Sequence, residues 1–209
     1  RRLGVYPQIT HSWRAVFPWT APQFLQYRAQ EFVSKKLHCM IGYAVPSNRH
    51  HEFNVAAMAE WTWNAAGRTP EEFARAYAVR AGMPDPGLFA QWAVRAGEVG
   101  WPLAESKLLL TAIYDPTLGL GSKVPFDHRF QAAGTTNIVG MDKTLATARE
   151  ALQLARKSGN PEMICESECG AAGLEALQAL QAATPMLAAA AVDENAKHKL
   201  GESLDQLDR

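Results

Sequence analysis

Every Phe, Trp and Tyr of this 209-residue chain lies at or before Phe130, and residues 131–209 carry none. All but Pro161 and Pro185 of the 12 prolines lie at or before Pro125. A stretch with no rings and almost no proline must fill its interior with leucine and alanine, which favour helices. The aromatic, proline-bearing stretch is instead loop-rich, of the kind that walls binding sites. The composition therefore divides the chain near residues 131–140 into two parts with different chemistry.

The remaining bulk properties narrow the class. Hydrophobic residues make up 47% of the chain, too many for general disorder. The length suits one ordinary domain, or one domain with part of another. Lys and Arg balance Asp and Glu at 21 each, with no basic block to neutralise phosphates, so no nucleic-acid partner is expected. The longest apolar run, Met186 to Val192, falls well short of the roughly 20 residues of a membrane span, so no membrane partner is expected and the chain reads as soluble. The sequence opens Arg1-Arg2-Leu3 with no apolar signal segment, which suggests a trimmed piece of something longer and leaves the compartment open. Cys39, Cys165 and Cys169 form no disulfide framework, and the helix-spaced pair Cys165 and Cys169 is expected to pack rather than to bind metal. No cofactor and no metal are expected.

Local patterns give an element order. Strands are expected at Leu3 to Thr10 and Cys39 to Val45, with a helix between them that starts at Thr20, an N-cap with Gln23 three residues on. Strand, helix and strand in that order form a βαβ unit with parallel strands, and a two-strand parallel sheet needs further strands and cover on both faces. A helix follows over Glu52 to Asn64. Thr69-Pro70-Glu71-Glu72 then supplies an N-cap, a proline at the first helical position and a glutamate at the third. That helix stops at Gly82, and another opens at Asp85-Pro86 and runs to about Val99. Residues 115–137 read as a long ordered loop, and the tail as three helices: Asp142 to Ser158, Pro161 to Ala183 capped by Asn160, and Pro185 to Asp208 capped by Thr184. The expected class is mainly α: a C-terminal helical bundle preceded by a short βαβα segment.

Chemistry-bearing residues cluster after the two strands. Tyr43-Ala44-Val45-Pro46-Ser47-Asn48-Arg49-His50-His51 would lie at the C-terminal edge of a parallel sheet, where α/β folds and barrels place ligands. Thr10-His11-Ser12-Trp13-Arg14 follows the first strand in the same way, and Trp13 and Trp19 could stack on an apolar ligand face. These residues can also simply satisfy local backbone groups. His11, His50 and His51 lack the carboxylates and geometry of a metal site. Gly119-Leu120-Gly121-Ser122-Lys123 lacks the spacing of a phosphate loop and reads as a turn. Glu166 and Glu168, two apart on a helix and facing different ways, read as solvated or cap-proximal rather than as a catalytic pair.

The stretch Glu52 to Gly82 resembles the junction at which a glycoside hydrolase (β/α)8 barrel passes into its post-catalytic helical domain, as in families 84, 20 and 67. The resemblance rests on Asn54, Ala59-Glu60-Trp61, Trp63-Asn64 and the Pro70-Glu71-Glu72 helix start. Upstream, GVYPQITHS and CMIGYAVPS match the last two barrel strands; downstream, residues 151–183 are similar to the helical domain that follows the barrel. The resemblance implies two parts, 1–67 as the terminal βα units of an incomplete barrel and 68–209 as a helical bundle. It implies a C-terminal portion of a hexosaminidase- or glucuronidase-like parent that binds carbohydrate, with Trp13, Tyr43, Asn48, Arg49, His50 and Asn54 lining the substrate site. Glycoside cleavage needs two placed carboxyl groups, and no such pair occurs on the two strands, so no catalytic residue is assigned and the chain alone is expected to be inactive. The alternative is a stand-alone helical interaction or structural module. Open strand edges could also pair by self-association.

Overall fold

The computed structural model describes residues 4–5, 19–42, 51–106, 138 and 140–190. The protein is mainly helical there, in the order β1 (Gly4–Val5), α1 (Pro22–Ser34), β2 (Cys39–Met40), α2 (Glu52–Trp63), α3 (Pro70–Arg80), α4 (Pro86–Ser106), α5 (Met141–Ser158) and α6 (Pro161–Ala190). Among the described residues β2 ends at Met40, short of the Val45 that the sequence predicts. β1 and β2 pair in parallel, Gly4 opposite Cys39 and Val5 opposite Met40, across the α1 crossover. Ile41 and Gly42 already leave the ladder, Ile41 with 59% of its surface exposed, and a glycine weakens a strand at that point. The βαβα segment resembling barrel units is therefore not supported beyond this pair; residues 6–10 and 43–45 lie outside the described residues.

Several helix ends follow from local chemistry. Thr69 accepts from the Glu72 backbone N–H while the Glu72 carboxylate takes the Thr69 N–H, closing the expected capping box of α3. Gly159 ends α5 with φ of +68°, a conformation that costs glycine nothing. Asn160 Oδ1 accepts from the Glu162 and Met163 backbone N–H groups to start α6. Three expectations are corrected. The α1 N-cap is Ala21, not Thr20, with Pro22 opening the helix and no side-chain cap. α4 continues past Val99 through Pro102 to Ser106. Proline inside a helix costs about 3 kcal/mol, and the complete burial of Leu103 against Leu174 and Leu177 offsets it. α6 likewise runs through Pro185 to Ala190, carried by an alanine-rich run, so the helix expected to begin at Pro185 is a continuation of α6 as far as Ala190.

α4 is the organising helix, in contact with α1, α3, α5 and α6. Its first half enters an aromatic cluster made with α1, α2 and α3, which includes Phe53, Trp61, Phe73, Phe89 and Trp92. Its second half gives Val99 and Leu103 to a cluster with Trp19, Met141, Leu145, Leu174 and Leu177. The aromatic cluster runs from Leu25 to Met163, so buried contacts cross the 67/68 position without interruption. On α6 the inward stripe is Met163, Ser167, Gly170, Leu174 and Leu177. Cys165 and Cys169 fall on the opposite side and are exposed, contrary to the packing role expected of them.

Candidate functional site

Two places in the fold carry side chains beyond simple packing. The first is an open groove of about 620 Å³ between α1, β2 and α2. Phe32 and Val33 of α1, Leu37 and Met40 near β2, and Val55 and Met58 of α2 give it apolar walls, with His38, Cys39 and Thr62 as polar members. Val33 and Val55 keep 65% and 42% of their surface exposed, so α1 and α2 each bury one side against the core and present another to this groove. No carboxylate lines it among the described residues. A comparable groove between α3, α4 and α5 holds Glu71, Arg95, Glu150 and Lys157, but its carboxylates are taken by Arg75 at 3.3 Å and Arg95 at 3.2 Å in exposed ion pairs of little energetic weight.

Of the six sequence-predicted site residues, Trp13, Tyr43, Asn48, Arg49 and His50 lie outside the described residues. Asn54 is described and buried. Its Nδ2 donates to the Trp19 carbonyl at 2.5 Å and its Oδ1 accepts from the Ala21 N–H at 3.2 Å. The first turn of α1 has no side-chain cap of its own. Asn54 therefore supplies from α2 what α1 lacks locally, because a buried backbone N–H left unpaired is costly. His51, one of the histidines considered as ligands, is buried at the start of α2, and no cluster of metal-ligating residues exists among the described residues.

The second place lies where the segment entering α1 meets α6. The Thr20 backbone N–H donates to Glu166 Oε1 at 2.5 Å, and the Thr20 hydroxyl donates to Oε2 at 2.9 Å. The expected N-cap and the expected solvated glutamate are thus partners across 146 residues. A void of about 10 Å³, near the size of a single water, adjoins the carboxyl and is walled by Trp19, by Ala96, Val99 and Gly100 of α4, and by Ala148 and Ala151 of α5. Ser167, beside Glu166, accepts from Trp92 Nε1 at 2.9 Å. Burial pushes the Glu166 carboxyl up to about 7, against the two Thr20 hydrogen bonds, which act in the other direction. Glu168 points outward to Arg156 at 3.3 Å. On the exposed side of α6, partial burial and the Cys165 thiol raise the Cys169 thiol above its ordinary range.

Sequence reasoning passed over Glu166, although a signal was present. It stands three residues after Met163 and four before Gly170, in line with the stripe that α6 buries. Thr20 carried no such sign, because Thr20 and Gln23 satisfy the local rule for a capping box. No protein-family model, curated protein or solved structure matches this chain.

Proposed function

We propose that this chain is the C-terminal portion of a carbohydrate-active glycoside hydrolase of the hexosaminidase or glucuronidase kind. In this reading it contributes part of the sugar-site wall and a helical buttress, while the catalytic carboxylates come from elements that precede it. The observation that carries the reading is the parallel pairing of β1 and β2 across α1, with α2 following β2. That connectivity is the repeat of a (β/α)8 barrel, and a parallel pair needs strands beside it to be stable. Because the strands are parallel, the chain leaves β1 and β2 on the same edge of the pair, and the segments with Trp13 and with Tyr43, Asn48, Arg49 and His50 follow those two exits in sequence. The apolar groove beside β2 supports the same reading, since it presents α1 and α2 surfaces that neighbouring barrel units would cover.

A second reading, a helical interaction or structural module without catalysis, draws on the buried core that runs unbroken from α1 to α6. In that case the open edges of β1 and β2 would be met by self-association. Expression from the full gene, with intact-mass analysis and assay on nitrophenyl N-acetylhexosaminides and glucuronides, separates the two. A longer, active parent in which Trp13→Ala and Tyr43→Ala each lower kcat/KM by about tenfold or more is the expected result. An inactive product, or unchanged kinetics in both variants, rejects the sugar-wall assignment.

A further inference from the structure

Cys165 and Cys169 stand four residues apart on α6, and both are exposed. The helix behind them is anchored. Met163, Ser167 and Gly170 are buried on the far side, and Ser167 accepts from Trp92 Nε1 of α4 at 2.9 Å. The two cysteines therefore share one fixed strip of surface, with Cβ atoms about 5–6 Å apart as helical spacing dictates. That spacing decides which thiol chemistry the pair can carry. A disulfide needs its Cβ atoms about 3.5–4.5 Å apart, so the two do not close on each other while α6 keeps its shape. A thiolate–metal bond is about 2.3 Å long, and one ion between two sulfurs spans about 4–5 Å, which the helical pair can match. The side chains already meet: partial burial, and then the hydrogen bond to the Cys165 thiol, raises the Cys169 thiol above its ordinary value. Among the described residues no group of three or more metal-ligating side chains is formed, so the four ligands of a structural zinc site are not assembled. Cu(I), a soft closed-shell ion that favours thiolates, is satisfied by two sulfurs in line.

We propose that Cys165 and Cys169 form a two-thiolate site for a soft monovalent cation of the Cu(I) class, on the face of α6 turned away from the core. The site has no role in the carbohydrate reading and stands or falls without it. Binding replaces two S–H bonds by two S–Cu bonds and releases two protons to solvent, with no change in oxidation state. The Glu166 and Glu168 carboxylates oppose ionisation of the Cys169 thiol when no cation is present. A bound cation offsets that charge. It also joins successive turns of α6, so the folded chain gains stability as the ion is added. Cys39, in β2, stands outside the pair and is the internal control.

Anaerobic titration of the reduced full chain with Cu(I), in competition with the chromophoric chelator bicinchoninate, measures the affinity. One ion per chain is expected, and Cys39→Ser should bind it as tightly as the wild type. Cys165→Ser and Cys169→Ser should each weaken binding by about 10²- to 10⁴-fold, because the second thiol no longer acts within the same molecule. Both positions are exposed, so circular dichroism of the variants should match that of the parent chain. Binding that survives either of these substitutions, or that is lost in Cys39→Ser, overturns the site. The second measurement needs no variant: X-ray absorption at the copper edge should show two sulfur neighbours, and nitrogen or oxygen in place of either sulfur overturns the proposal equally.

Discussion

Around Phe53 the interior is built of rings. Its centroid lies 5.4 Å from Phe73, 5.1 Å from Tyr77 and 5.5 Å from Phe89, and Trp61 adds a further contact to Phe73 at 5.1 Å. Around Leu174 no ring from α5 or α6 is present, and the helices meet through Leu145, Ala148, Leu177 and the glycines Gly170 and Gly173. A Cβ at those glycines would come within 3.1 Å of Val99 and Leu103. Rings fill space with few residues but need partners for their N–H groups, which Trp61 finds in the Arg68 carbonyl and Trp92 in Ser167. Small residues need no such partners, but hold only where the helices come close along their length. α4 serves both regimes, Phe89 and Trp92 for the first and Val99 and Leu103 for the second.

The largest effect should come from breaking the ring lattice. Trp61 is fully buried, and Trp61→Ala should cost about 3–5 kcal/mol, chiefly through the cavity it leaves, since the Arg68 carbonyl that loses the indole N–H keeps its second donor, Gln26 Nε2. Leu174→Ala, equally buried in the other regime, should cost about 3 kcal/mol. Urea titration of both variants ranks the two regimes. A greater loss for Leu174→Ala would mean that the helix pair, not the aromatic lattice, dominates the stability of the fold.

A sharper comparison is available where the regimes meet. The Cδ1–Nε1 edge of the Trp19 indole faces Gly100, and a Cβ there would stand 2.1 Å from both atoms. Gly100→Ala raises helix propensity by about 1 kcal/mol, so a net loss isolates the steric conflict. The expected outcome is destabilisation by about 1–3 kcal/mol, with a shift in tryptophan emission as the ring is displaced. A stabilised variant would show that Trp19 does not occupy this position in solution.

These contacts separate what the sequence discloses from what it conceals. The α3 capping box, the Gly159 stop and the Asn160 start are legible because every partner lies within a few residues. Thr20 and Gln23 meet the same local rule and fail it. Thr20 bonds Glu166, while Gln23 Nε2 donates to the Val94 carbonyl at 2.7 Å. Long-range partners of better geometry displaced the local cap, and no spacing rule registers them. The sequence places the end of α4 near Val99, yet the burial that carries the helix past Pro102 involves α6, some 70 residues away in sequence. Among the candidate site residues Asn54 is the instructive one: its type and position mark it as significant, but its backbone partners at Trp19 and Ala21 come from a segment that only the fold brings near.

The smallest expected effect tests the same contrast within one helix. Trp61 and Trp63 are two residues apart on α2, about 200° around its axis, and their exposures are 0% and 92%. Composition alone treats them alike. Trp63→Ala should change stability by no more than about 0.5 kcal/mol, the usual range for a surface substitution away from packed neighbours. Thermal unfolding at two protein concentrations makes the test specific. A loss above about 1 kcal/mol at both concentrations would mean that the Trp63 ring packs within the chain itself. A loss confined to the higher concentration would place the ring in contact with a second copy, because stabilisation by association follows mass action. That result would favour the self-associating module over the barrel portion, since it would put a covered apolar surface on the α2 side of the fold without calling on any preceding strand.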